Sequence, residues 1–173
     1  GEIINGELYT QPRPAGPHTI VASELGADLV SMFGRGRGGP GGWLIVFEPQ
    51  LHFDDARILV PDVAGWRVER IPMEERRQAF FQTAPDWVCE VLSPSTATKD
   101  RQEKAPVYLE AGVGFLWYVE PLIGHVHGHR RTDDGWLSLG TWSDGASRIP
   151  PFDAVALDLT AIWATIGGPD REG

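Results

Sequence analysis

The chain has 173 residues, 42% of them hydrophobic, with a formal net charge of −9 and a pI near 4.9. This length supports one domain, residues 1–173, with a core of its own. The composition excludes a disordered chain, no apolar run reaches the roughly 20 residues of a membrane crossing, and the acidity excludes the broad basic footprint of a non-specific nucleic-acid binder.

A nucleic-acid contact would therefore need a local basic patch, a partner chain or a bound metal. The single Cys89 rules out an internal disulfide and fits a reducing, cytoplasmic compartment. No signal peptide is visible, and a start at Gly1 rather than Met leaves a preceding segment open.

In chain order, Glu2 to Tyr9 reads as a strand running into a Pro-rich turn from Gln11 to Pro17. Apolar residues at Ile20, Val21, Leu25, Leu29, Val30 and Phe33 predict a helix from His18 to Phe33. Gly34 to Gly42, almost all Gly and Arg, ends that helix and predicts a flexible connector whose arginines could also touch a phosphate backbone. Strands are predicted at Trp43 to Phe47 and at Ile58 to Ala64. Glu74 to Phe80 reads as a loop or short helix, and Trp87 to Leu92 as the central strand. Ser93-Pro94-Ser95-Thr96 forms a loop, and Lys99 to Ala111 a helix in which Pro106 sits awkwardly and Gly112 suits the C-terminal cap. Strands at Phe115 to Val119, Val126 to Arg130 and Trp136 to Leu139, then a helix from Asp158 to Ile166, complete an α/β (α+β) domain around a mixed sheet.

Asp62 follows the apolar run Ile58-Leu59-Val60-Pro61, and Glu90 follows Trp87-Val88-Cys89. A carboxylate closing a buried strand needs a partner, because an unpaired buried charge is very costly. Two carboxylates from adjacent strands can hold one hard cation, Mg2+ or Mn2+, and leave positions for a phosphate and a water. The same acids also read as solvent-facing strand ends or helix caps. Lys104 lies four residues after Asp100, on the same helical face, in the helix that follows the Glu90 strand. There it could orient the attacking water or stabilise phosphorane charge, or remain a solvated lysine paired with Asp100. His125, His127 and His129 share one face of a strand. They suit zinc or nickel, or form a polar edge strand, with no nearby Cys or acid seen to complete a site.

Several segments together carry a family likeness: Pro61-Asp62-Val63-Ala64-Gly65-Trp66-Arg67, Pro85-Asp86-Trp87-Val88-Cys89-Glu90-Val91-Leu92-Ser93-Pro94-Ser95-Thr96, and the set Asp100, Lys104, Tyr108, Ala111-Gly112-Val113 and Trp117. They resemble the Uma family of restriction endonucleases, within the PD-(D/E)XK nuclease superfamily, over most of the chain. Gly6-Glu7 and His18 match that family's opening segment. The resemblance implies a restriction-endonuclease-like core, a mixed central β-sheet flanked by helices. It implies an endonuclease that hydrolyses phosphodiester bonds of nucleic acid, DNA foremost, using Mg2+ or Mn2+. Asp62 and Glu90 would be the metal ligands, with the Val91 carbonyl as a third.

The superfamily pattern sets a lysine two residues after the second acid, where this chain has Leu92, so the resemblance points to Lys104 instead. Glu7 would complete the catalytic set of Asp62, Glu90 and Lys104, or simply end a strand; His18 would join it or cap the first helix. Nucleases that cut both strands often act as homodimers, and seven tryptophans supply core or interface surface. Low pI and Leu92 also support an alternative, a catalytically silent nuclease-fold module that binds nucleic acid or protein.

Overall fold

The computed structural model describes residues 1–94 and 96–169; Ser95, part of the segment expected from the sequence as a loop, lies outside the described residues. The segment expected as one N-terminal strand is a hairpin of β1 (Glu2–Ile4) and β2 (Glu7–Tyr9). Asn5 and Gly6 sit at φ 51° and 83°. Two successive left-handed residues make the tight turn that a two-residue hairpin requires, and Asn-Gly is its preferred sequence.

Helix α1 (Gly16–Leu29) continues as a π turn from Val30 to Gly34 and buries Val21, Leu25, Leu29 and Phe33. The Gly/Arg connector does not hang free as expected. The Arg37 and Gly41 N–H groups donate to the Ser31 and Met32 carbonyls (2.8 and 3.0 Å), tying it back onto the helix end.

Next come β3 (Trp43–Phe47), β4 (Leu51–Asp54), β5 (Arg57–Leu59) and β6 (Val63–Arg67). The expected Ile58–Ala64 strand is thus cut at Val60-Pro61-Asp62. Pro61 has no N–H for a ladder, and the chain changes sheets there. β5 belongs to a four-stranded sheet ordered β2-β1-β5-β4. β6 enters a six-stranded sheet with β7 (Trp87–Val91), β8 (Phe115–Glu120), β9 (His125–Thr132) and β10 (Gly135–Trp142), ordered β10-β9-β8-β7-β6-β3.

Only the β7–β8 pair in that sheet is parallel, so its connection must cross over. The crossover is α2 (Ala97–Lys99), a π turn (Asp100–Lys104) and α3 (Ala105–Ala111). Pro106 falls in the first turn of α3, directly after the π turn, where its missing N–H breaks no helical bond. Gly112, at φ 90°, closes α3 as expected. A two-stranded pair, β11 (Ala146–Ser147) with β12 (Leu157–Asp158), precedes α4 (Leu159–Ala164), where Asp158 Oδ1 accepts from the Ala161 N–H (3.0 Å). The mixed sheet flanked by helices agrees with the expected fold class.

Period-two alternation along β7 divides its side chains between two cores. Trp87, Cys89 and Val91 join the core made with α1 and α4, while Val88 and Leu92 join the core made with α3 and the small sheet. Glu90 therefore points to the second side. Trp43, Trp66, Trp87, Trp117 and Trp163 are buried, so these five serve the interior rather than a free surface. No helix among the described residues is long and apolar enough to cross a membrane.

Phe152 fixes the first core. Its ring centroid lies 4.7–4.9 Å from those of Trp43, Phe33 and Trp87, and 5.6 Å from Trp117. Phe152→Ala should cost about 3–5 kcal/mol, read from the denaturant midpoint at unchanged slope; a loss below about 1 kcal/mol would contradict this packing.

Candidate active site

Five separate elements bring titratable side chains to one place. β6 pairs antiparallel with β7, Val63 opposite Cys89, so the residue before β6, Asp62, comes alongside Glu90. Asp62 Oδ2 accepts from the Val91 N–H (2.7 Å), and its Oδ1 lies 3.0 Å from His18 Nε2 on α1. From the other side the π turn delivers Asp100 and Lys104, and β1 delivers Glu2.

The Lys104 ammonium lies 2.5 Å from Glu90 Oε1, 2.7 Å from Glu2 Oε1 and 3.6 Å from Asp100 Oδ1. Its side chain is 2% exposed and that of Glu90 3%. Two further donors fix the acids: the Tyr108 hydroxyl donates to Glu90 Oε1 (2.5 Å), and the Val60 N–H donates to Glu2 Oε1 (2.9 Å). Glu2, His18, Asp62, Glu90, Val91, Asp100 and Lys104 all line one cavity of about 540 Å³.

Burial and charge set the protonation of this group. Burial drives Glu90 well above the ordinary carboxylate range, with Lys104 opposing and Asp100, Asp62 and Glu2 reinforcing the rise. Asp100 is raised for the same first reason, again against Lys104. Burial alone would lower Lys104, but Glu90, Glu2 and Asp100 outweigh it and hold the ammonium charged far into alkaline pH. Tyr108 is pushed well up by burial and then by Glu90, so its hydroxyl keeps the proton it donates.

Of the residues singled out from the sequence, Asp62, Glu90, Val91, Lys104 and His18 share this cavity. Glu7 does not join them. It is exposed on β2, where its carboxylate accepts from the Tyr9 hydroxyl (3.0 Å). Glu2 takes that place, because the Asn5-Gly6 reversal puts the two glutamates on different strands of the hairpin. The signal for Glu2 was its period-two relation to the buried Ile4; for Tyr108 it was the four-residue spacing from Lys104 on one helix. Lys104 is no solvated partner of Asp100 but a buried one. Arg70 and Arg76 are engaged away from the cavity: Arg70 pairs with Asp86 (2.8 Å), and Arg76 donates to the Val68 and Ile71 carbonyls. The histidine strand lies elsewhere, on β9, and the acid found missing from its sequence surroundings is Glu120 of β8.

A family model, Uma2, described as putative restriction endonuclease, matches residues 2–161. Among solved structures, a putative nuclease belonging to DUF820 from Anabaena variabilis ATCC 29413 is similar, with a TM-score of 0.77 and 23% sequence identity over 94% of this chain and 89% of that one. At this identity the likeness is one of fold. No curated protein matches the chain.

The His18–Asp62 pair has a testable signature. Burial lowers the His18 pKa, but the bond to Asp62 and the charges of Asp62, Asp100 and Glu48 outweigh it, so the value stands above the ordinary 6.5. A raised folded value means the pair's stabilisation is complete below pH 6.5 and is lost as pH rises through the folded pKa. Asp62→Asn should lower the His18 pKa measured by NMR titration, because burial then acts with less opposition. An unchanged value would contradict the pairing.

Proposed function

The chain belongs to the Uma2 family, and from that membership we propose that it is a divalent-metal-dependent endonuclease whose catalytic centre is the cavity between Asp62, Glu90 and Lys104. One observation carries this reading: the carboxylates of Glu2, Asp62, Glu90 and Asp100 converge on one cavity around a single buried ammonium. Four acidic side chains around one ammonium in a partly buried pocket are a setting that a cation would relieve, and the donors are the hard oxygens that Mg2+ and Mn2+ prefer. Asp62 and Glu90 would hold the ion, with the Val91 carbonyl as a third ligand. When bound, the ion would supply charge neutralisation at the phosphate and a water more readily deprotonated than bulk water.

The chain's own groups have distinct tasks in this reading. The Val91 N–H and His18 fix the two oxygens of Asp62, and Lys104 with Tyr108 fixes Oε1 of Glu90. Lys104 stays charged, so it acts as a hydrogen-bond donor and positive charge near the scissile phosphate rather than as a proton acceptor. Glu2 and Asp100 hold the Lys104 ammonium in place. The reading extends to one catalytic unit over residues 1–173, acting in the cytoplasm on DNA. A homodimer would offer each strand its own cavity.

The alternative of a silent binding module rests on Leu92 and on the full engagement of the Lys104 ammonium by carboxylates. It requires DNA binding that is identical with and without chelator, and no cleavage.

Nicking of plasmid DNA in Mg2+ or Mn2+, with EDTA as control, tests the proposal. Asp62→Asn and Glu90→Gln should reduce cleavage to background with the circular dichroism spectrum unchanged. Lys104→Gln should reduce it by about 10²–10³-fold. Glu2→Gln should weaken cleavage while Glu7→Gln does not. Full activity in Asp62→Asn or Glu90→Gln would refute the assignment.

A further inference from the structure

A second cluster of ligating atoms lies on the outer hairpin of the large sheet. Glu120 ends β8 and pairs directly across the sheet with His125, the first residue of β9. His127 follows two residues on, so it projects from the same face. The ligand atoms of Glu120, His125 and His127 all lie within 4.8 Å of one another, and all three residues are half-buried.

The atoms are already sorted into those that are committed and those that converge. His127 Nδ1 lies 2.8 Å from the Thr141 hydroxyl on β10, which leaves Nε2 to face Glu120 Oε2 at 2.7 Å. The other Glu120 oxygen, Oε1, pairs with Arg101 at 3.3 Å. A metal-binding histidine commonly gives its second nitrogen to an oxygen partner, and a ligating carboxylate is commonly held through its free oxygen. Thr141 and Arg101 occupy these two supporting positions.

His129, which the strand pattern grouped with the other two, is excluded. Its ring lies outside the group of converging ligand atoms, turned to the Leu116 carbonyl (3.3 Å from Nδ1) and edge-on to Tyr118.

We propose that Glu120, His125 and His127 form a binding site for a borderline transition-metal ion, Zn2+ or Ni2+, separate from the carboxylate cavity. Two imidazoles and one carboxylate are a known zinc donor set that leaves a fourth position open. Imidazole favours zinc, copper, iron and nickel over magnesium, so the two sites would divide metals by ligand type. Seating the ion requires the three ligand atoms, now within 4.8 Å of one another, to adjust to a common spacing. With metal–ligand bonds near 2.0–2.1 Å, tetrahedral donors stand about 3.3 Å apart, roughly half an ångström more than the present His127–Glu120 separation.

The site would also reach the helix that carries Lys104. Arg101 belongs to the same π turn as Lys104, and it lies over the Tyr118 ring (5.1 Å) while holding Glu120.

Calorimetric titration of untagged full-length protein with Zn2+ tests the site, repeated on His125→Ala, His127→Ala and Asp62→Asn. The expected result is one ion per chain, affinity at least tenfold weaker in each histidine variant, and Zn2+ binding retained in Asp62→Asn and in excess Mg2+. Thr141→Val, which removes only the supporting hydroxyl, should weaken binding about 10-fold or more. Absence of Zn2+ binding, or binding unchanged in both histidine variants, would overturn the proposal. So would Zn2+ binding lost in Asp62→Asn but kept in the histidine variants. None of these outcomes bears on cleavage at the carboxylate cavity.

Discussion

The ammonium of Lys104, shut inside the protein among three carboxylates, is the interaction on which the rest of the site depends. Neither charge type could be buried alone, since removal from water without a partner costs far more than a domain's net stability. Together they are tolerable, yet the balance is uneven: Glu2, Glu90 and Asp100 outnumber the one lysine, and Asp62 adds a further carboxylate beside them. A buried ion pair of this kind is poor evidence for stability, because apolar residues of similar volume would often do as well. Its surplus of carboxylates is the feature on which the proposed metal site rests.

Much of the backbone serves this convergence. The chain leaves the small sheet at Pro61 and enters the large one, and Asp62 is delivered at that crossing. The parallel β7–β8 pair demands a helical crossover, and the crossover carries Asp100 and Lys104 over the strand that bears Glu90. The π turn admits Pro106 at the start of α3; such turns are frequently found at functional sites. The N-terminal hairpin then packs its first strand against β5 and brings in Glu2. Residues far apart in sequence meet because Asp62 lies at the junction between sheets, while Glu2, Glu90, Asp100 and Lys104 sit on elements that the topology packs around it.

Local pattern made a good part of this visible in advance. Trp87-Val88-Cys89-Glu90-Val91 has the continuous apolar character of a buried strand, and α1 shows its stripe at Val21, Leu25, Leu29 and Phe33. Asp62 and Glu90 could be singled out because charge beside such runs is conspicuous, and Lys104 by its four-residue spacing from Asp100 and by the family resemblance. What was hidden depended on tertiary choices. Asn5-Gly6 decides between one strand and a hairpin, and with it between Glu7 and Glu2. Pro61 looks like a strand end in sequence but marks a change of sheet. The Gly/Arg connector has the composition of a linker, yet its amides find the carbonyls at the end of α1. Glu120 escaped notice as a neighbour of the histidine strand because cross-strand pairing, not sequence spacing, brings it opposite His125.

Anomalous scattering from crystals soaked in Mn2+ tests the central claim most directly. The account predicts a peak in the carboxylate cavity, between Asp62 and Glu90, with Lys104 retained alongside it. A cavity with no peak while Lys104 remains locked to its carboxylates, or a Mn2+ peak confined to other parts of the molecule, would contradict it.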